Sequence, residues 1–229
     1  VVNGLNATLN WKSPILADKT LTWSNGEKGK AMGGTSGTVR KIWAVNAFSS
    51  DELASYADHK ITAINVMLNS AVTEMRLVIL ENSKIVYSQQ VPAEEIAALE
   101  VHKWAKIALT TPYVIDPSAE LSYGYYVVHA ADLFPGLLDS GPAISGACFI
   151  STSTAKPDFD TTVPSWTNIE AAANANWMLS ADVEAQSEIK TPVVKGYTVY
   201  RDGVEVKSGI TGLTYTEELA PGTYTYTVV

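Results

Sequence analysis

Two stretches of alternating sequence stand at opposite ends of the chain, and neither can bury its apolar face alone. Residues 6–11 end on Trp11, and residues 196–207 and 224–228 carry Tyr197, Val199, Tyr224, Tyr226 and Val228 at every second position. Between Arg201 and Val204, Asp202-Gly203 supplies the positive backbone angles of a type I′ turn, so 196–201 and 204–207 read as a hairpin. An isolated hairpin is marginal in water and needs further strands beneath it. The ends are therefore expected to share one core, with Trp11 against Tyr197 or Val199, and all that lies between them to be an insertion. The scheme is 1–14 and 190–229 as two parts of one module, incomplete at Val229, with 15–189 inserted.

The insertion is β in texture. Residues 61–68, 74–81, 84–91, 103–109, 120–129, 147–152 and 176–183 read as strands, several of them apolar on both sides of the alternation. Such strands belong inside a sandwich or barrel. Asn82-Ser83 reads as a two-residue turn. Residues 103–109 are expected to stop before Pro112, with Trp11, Trp104 and Trp177 packed inside. Helix signals are short: a capping box from Ser49 to Glu52, and 92–99 with Pro92 at its first position. Residues 26–37, holding five glycines, and 157–175, without a period, read as loops.

The chain has 229 residues with 46% hydrophobic content, enough for a sizeable core. Its net charge of -8 argues against nucleic-acid or anionic-membrane partners, which need basic surface. No apolar run approaches the roughly 18 residues of a membrane span. Cys148, the single cysteine, sits in strand-like sequence and reads as a small core residue.

The terminal residues resemble a fibronectin type III module. Trp11 matches the inward tryptophan of its second strand, 197–203 its third strand and hairpin, and Leu219-Ala-Pro-Gly222 with Tyr224 the corner where a tyrosine hydroxyl ties back to backbone. Tyr224 stands one residue earlier than in the usual pattern. The middle of the chain, at 47–53, 60–64, 104–116, 121–125 and 176–181, resembles the jelly-roll domains in the cleaved-adhesin (haemagglutinin) region of gingipain-type proteins of Bacteroidetes. The fold this implies is all-β, a jelly-roll β-sandwich inserted into a partial fibronectin-III/Ig-like β-sandwich. The resemblance further implies a secreted or outer-surface location and non-catalytic adhesion, with a glycan or a host or matrix protein as partner.

Catalytic motifs are sparse. His59, His102 and His129 lie far apart, with no His-Glu-x-x-His metal motif and no Gly-x-Ser-x-Gly elbow. The chain is therefore expected not to be an enzyme. Jelly-roll modules often hold structural calcium through carboxylates and carbonyls, and Asp158 and Asp160 offer two carboxylates on one loop. They are the candidate metal ligands, against a plain reading as solvated acids. Trp23, Trp43 and Trp166 adjoin loops and are the candidate ligand-binding residues, each against a packing role.

Three structural outcomes separate the remaining readings. An exposed tryptophan on a concave face favours binding. A flat surface with Trp43 and Trp166 buried favours a spacer that positions a neighbouring enzyme. Two of Asp158, Asp160, Glu170 and Asp182 facing each other in a deep pocket favour a glycosidase, the rarer alternative together with a peptidase.

Overall fold

A computed structural model describes residues 5–11, 18–34, 37–38, 40–153, 157–160, 164–186 and 195–229. The chain divides into two compact units, Val1–Ala17 with Ser187–Val229, and Asp18–Gln186. The boundaries expected at 14/15 and 189/190 lie outside the described residues. In chain order the first unit contributes β1 (Leu5–Asn10). The second contributes β2 (Lys19–Thr22), β3 (Lys28–Met32), β4 (Arg40–Phe48), α1 (Ser50–Leu53), β5 (His59–Val66), β6 (Glu74–Glu81), β7 (Lys84–Gln90), α2 (Ala93–Ala98) and β8 (Ala105–Val114). It continues with β9 (Leu121–His129), β10 (Gly136–Asp139), β11 (Cys148–Ser153), β12 (Thr167–Asn168), α3 (Glu170–Ala173) and β13 (Leu179–Ala185). The first unit resumes with β14 (Tyr197–Arg201), β15 (Val204–Ile210), β16 (Thr214–Leu219) and β17 (Tyr226–Val228). The fold is all-β, built from antiparallel sheets.

The second unit is a β-sandwich. Its larger sheet runs β12-β11-β4-β9-β6-β7, and its smaller sheet runs β2-β13-β5-β8. One apolar core joins them: Ile42, Phe48, Leu77, Ile79, Tyr123 and Tyr125 from the larger sheet, Leu21, Ile61, Ile64, Ile107, Leu179 and Val183 from the smaller. Burial of this apolar surface is the main stabilising term. Polar pins cross the core as well: the Tyr123 hydroxyl donates to the Leu21 carbonyl at 2.5 Å and Asn46 Nδ2 to the Leu179 carbonyl at 3.3 Å.

On the larger sheet, odd positions of β4 face away from that core. Trp43 and Val45, with Val78, Leu80 and Tyr126, form a separate apolar cluster roofed by Phe159 and Trp166. This is why these strands are apolar on both sides.

The loops at one end of the sandwich are tied by Asp139, which is 1% exposed. Its Oδ1 accepts the backbone N–H groups of Gly141 (2.9 Å) and Asn176 (2.8 Å). Its Oδ2 accepts from Asn25 N–H (3.0 Å) and Asn176 Nδ2 (3.1 Å). Four donors offset the desolvation of the buried carboxylate.

In the first unit β1 pairs β16 in unbroken register, Leu5↔Leu219 to Asn10↔Thr214. A second sheet runs β15-β14-β17. Trp11 meets Tyr197 edge-on at 5.3 Å between ring centroids, and Val199 is fully buried. The Tyr224 hydroxyl donates to the Ala220 carbonyl at 3.1 Å, a tie back to backbone across the corner. Arg201 on β14 pairs with Glu217 on β16 at 2.7 Å, linking the unit's two sheets.

Two sequence expectations need correction here. β8 does not stop before Pro112 but runs through it to Val114. It is an edge strand of the smaller sheet, where a missing N–H leaves no ladder bond broken. The glycine-rich stretch is not all loop: β3 lies inside it, paired with β10.

Candidate functional site

The tryptophans sort by burial in an order the sequence did not suggest. Trp43 is 2% exposed at the centre of β4, enclosed by Tyr126 (5.1 Å), Phe159 (5.2 Å) and Trp166 (6.4 Å) between ring centroids. It has no face to offer a ligand, so its assignment as a binding residue is corrected. Trp23 is half-buried, stacked on Phe48 at 4.5 Å with its indole N–H donated to the Ala47 carbonyl at 2.9 Å. Both ring face and polar edge are thus used in packing. Trp166 is half-buried on Trp43 and borders a small cavity beside Phe149. The structure brings Trp43 and Trp166 together and leaves Trp23 against the main core.

Trp104, expected inside, is 41% exposed. Its position follows from the local chain. After α2, Lys103 N–H returns to the Glu100 carbonyl (3.3 Å), and Lys103 Nζ pairs with the Glu100 carboxylate at 2.5 Å. His102 adopts a left-handed φ of 61°, its N–H bonds the Leu68 carbonyl at 2.8 Å, and its Nε2 meets Asn69 Oδ1 at 2.9 Å. This pinned turn delivers Trp104 at the entrance to β8. Ile107 and Leu109 point to the core, so strand alternation puts Trp104 on the outer face with Lys106 and Ala108.

That outer face carries ordered polar groups. Register aligns Lys106 (β8), Asn65 (β5), Ser180 (β13) and Thr22 (β2) in one row across the smaller sheet. The next row holds Ala108, Ala63, Asp182 and Thr20. Asn65 Nδ2 donates to Asp182 Oδ1 at 2.6 Å and to Ser180 Oγ at 3.2 Å. Lys106 Nζ reaches across β5 to Asp182 Oδ2 at 2.7 Å. The small side chain of Ala63, between their two strands, leaves room for that crossing. Burial by itself pushes the Asp182 carboxyl up, but the hydrogen bonds from Lys106 and Asn65 outweigh it and hold the group below its ordinary value. The same contact with Asp182 raises the Lys106 ammonium.

Two open depressions meet at Lys106. One, a groove of about 500 Å³, is bordered by Leu99, Trp104, Lys106 and Ala108. The other, of 350 Å³, is bordered by Thr20, Lys106, Asp182 and Glu184. Lys106 is the residue common to both. Its groove-mate Trp104 offers an aromatic plate that can cover the apolar face of a sugar ring, and its ammonium and the Asp182 carboxylate beyond it are groups that can hydrogen-bond sugar hydroxyls.

Asp158 Oδ1 accepts the Asp160 backbone N–H at 3.0 Å, closing a turn that presents Phe159 to Trp43. Among the described residues no group of three His, Cys, Asp or Glu side chains gathers as a metal would require. Two carboxylates alone fall short of the roughly six to eight oxygen ligands that calcium takes. Glu170 accepts from Ser145 Oγ at 3.1 Å, on α3, while Asp182 lies in the sheet network. No helix among the described residues is long and apolar enough to cross a membrane. In comparisons with known proteins, no protein-family model, no curated protein and no solved structure matches this chain.

Proposed function

We propose that the chain is a non-catalytic extracellular adhesion or ligand-binding module of a bacterial surface protein, and that it holds a glycan on the outer face of the smaller sheet. The observation that carries this reading is Trp104, exposed in a groove beside the Lys106–Asp182–Asn65 network. The sequence resemblance to cleaved-adhesin jelly rolls supports the same class. A lowered carboxyl does not suit Asp182 to the general-acid role of a glycosidase, which needs a raised one.

The test is a glycan and matrix-protein binding screen of the whole chain, with Trp104→Ala in parallel and with arms in calcium and in chelator. Binding by the parent chain that Trp104→Ala loses, with an unchanged melting temperature, is the expected result. A second reading, a spacer that binds nothing, draws on the burial of Trp43. Failure of the parent chain to bind any probe at high protein concentration would remove the binding reading and favour the spacer.

A further inference from the structure

The larger sheet carries a cavity of its own, away from Trp104. Its floor is Val45 and Leu80, each 1% exposed; its walls are the half-buried rings of Phe149 and Trp166; its rim holds Glu120 and Ser122. Trp166 is held there by its edge contact with Trp43. The Glu120 backbone is fixed from both sides, its N–H donating to Asn82 Oδ1 at 3.2 Å and its carbonyl accepting from Asn82 N–H at 2.9 Å. Its carboxylate has no ion pair among the described residues.

We propose that this cavity is a second, separate docking site, which takes the alkylammonium end of a lysine side chain presented by a protein partner. Three features select that occupant. The volume is 120 Å³, well below the roughly 300 Å³ at which sites for larger ligands begin, and suited to one unbranched side chain. Apolar floor and walls cover a methylene stem, while the Trp166 and Phe149 faces and the Glu120 carboxylate attract the charged head. Glu120 also borders a polar cleft of 530 Å³ with Ser49, Asn82, Ser118 and Ser145, which leaves room and hydrogen-bonding groups for the flanking peptide backbone. Among the described residues neither space is lined by a lysine, arginine or histidine. A net charge of -8 favours a basic partner over an acidic one.

The test is an NMR titration of the whole ¹⁵N-labelled chain, reading the Trp166 indole N–H, with Trp166→Phe to assign that resonance. The probes are Nα-acetyl-lysine methylamide, its norleucine counterpart and glucosamine. The lysine probe is expected to shift the resonance saturably, and the norleucine probe to bind about five-fold more weakly or worse. Glu120→Gln, at an exposed side chain, is expected to remove that difference without changing the melting temperature. Equal affinity for lysine and norleucine, no saturable shift up to the solubility of the lysine probe, or an unaffected Glu120→Gln would each overturn the proposal. Glucosamine matching lysine would replace it with an amino-sugar site. None of these outcomes depends on Trp104, so failure here and failure of the glycan face are separate results.

Discussion

Trp11 and Tyr197, from opposite ends of the chain, meet edge to face at 5.3 Å between ring centroids. Around them Trp11 N–H donates to the Leu213 carbonyl at 3.2 Å, and Val199 is fully buried. Truncating this contact removes aromatic packing from a unit with little core to spare. Trp11→Ala is expected to destabilise the first unit by about 3 kcal/mol. In native-state hydrogen exchange, protection on β1 and β14 should fall while the sandwich strands keep theirs. Equal loss in β4 and β9 would show that the two units do not unfold separately.

Acid titration should report Asp182. Its carboxyl titrates below the ordinary value of 3.8, so the folded state prefers it ionised. The stability it contributes is fully present above that ordinary value and is lost as pH falls through the lowered one. The difference in melting temperature between the parent chain and Asp182→Asn should therefore be flat above about pH 5 and shrink as the pH drops below about 4. A difference that grows with acid would contradict the Lys106–Asp182 geometry.

Cys148 is expected to be inert in the folded chain. Burial pushes its thiol up to about 12, with Asp139 adding to the rise and the Trp177 N–H opposing it. A thiol-specific disulfide reagent at about pH 8 should leave it unlabelled, since the thiolate is the reacting species. Labelling in denaturant should then follow unfolding of the sandwich. Rapid labelling without denaturant would mean that β11 opens locally.

Asp139→Ala should cost about 3 kcal/mol or more, because it strands the donors of Asn25, Gly141 and Asn176 inside the protein. Urea unfolding measures this as a fall in midpoint. A change under about 0.5 kcal/mol, the range of ordinary surface substitutions, would show that water replaces the carboxylate.

Features set by neighbouring residues were readable in advance. Asn82 and Ser83 have φ of 47° and 66°, and Asp202 and Gly203 have 52° and 79°, as tight hairpin turns between twisted strands require. Ser49 and Glu52 form the capping box their spacing implies. Features set by distant partners were not. β3 reads Lys-Gly-Lys-Ala-Met with no apolar period, and its pairing with β10 is allowed by Gly29, where a Cβ would lie 1.9 Å from the Asp139 carbonyl oxygen. Trp43 looked accessible because a loop signal stands near it, but Phe159 and Trp166 return from far along the chain to cover it. Trp104 was misread for a different reason. Its place in a strand suggests the core, whereas its parity with Lys106, opposite to Ile107 and Leu109, assigns it to the outer face.

The pairing of β2 with β13, Lys19 beside Val183, sets an order of assembly. The second unit begins and ends on adjacent strands, so once folded it acts as a short tether between the chain segments that flank it. Before it folds, pairing β1 with β16, from Asn10 to Thr214, means closing a flexible loop of roughly 200 residues, at a length-dependent entropy cost of about 4 to 5 kcal/mol. The sandwich is therefore expected to fold first, and the terminal module to assemble only on a chain whose middle is already compact.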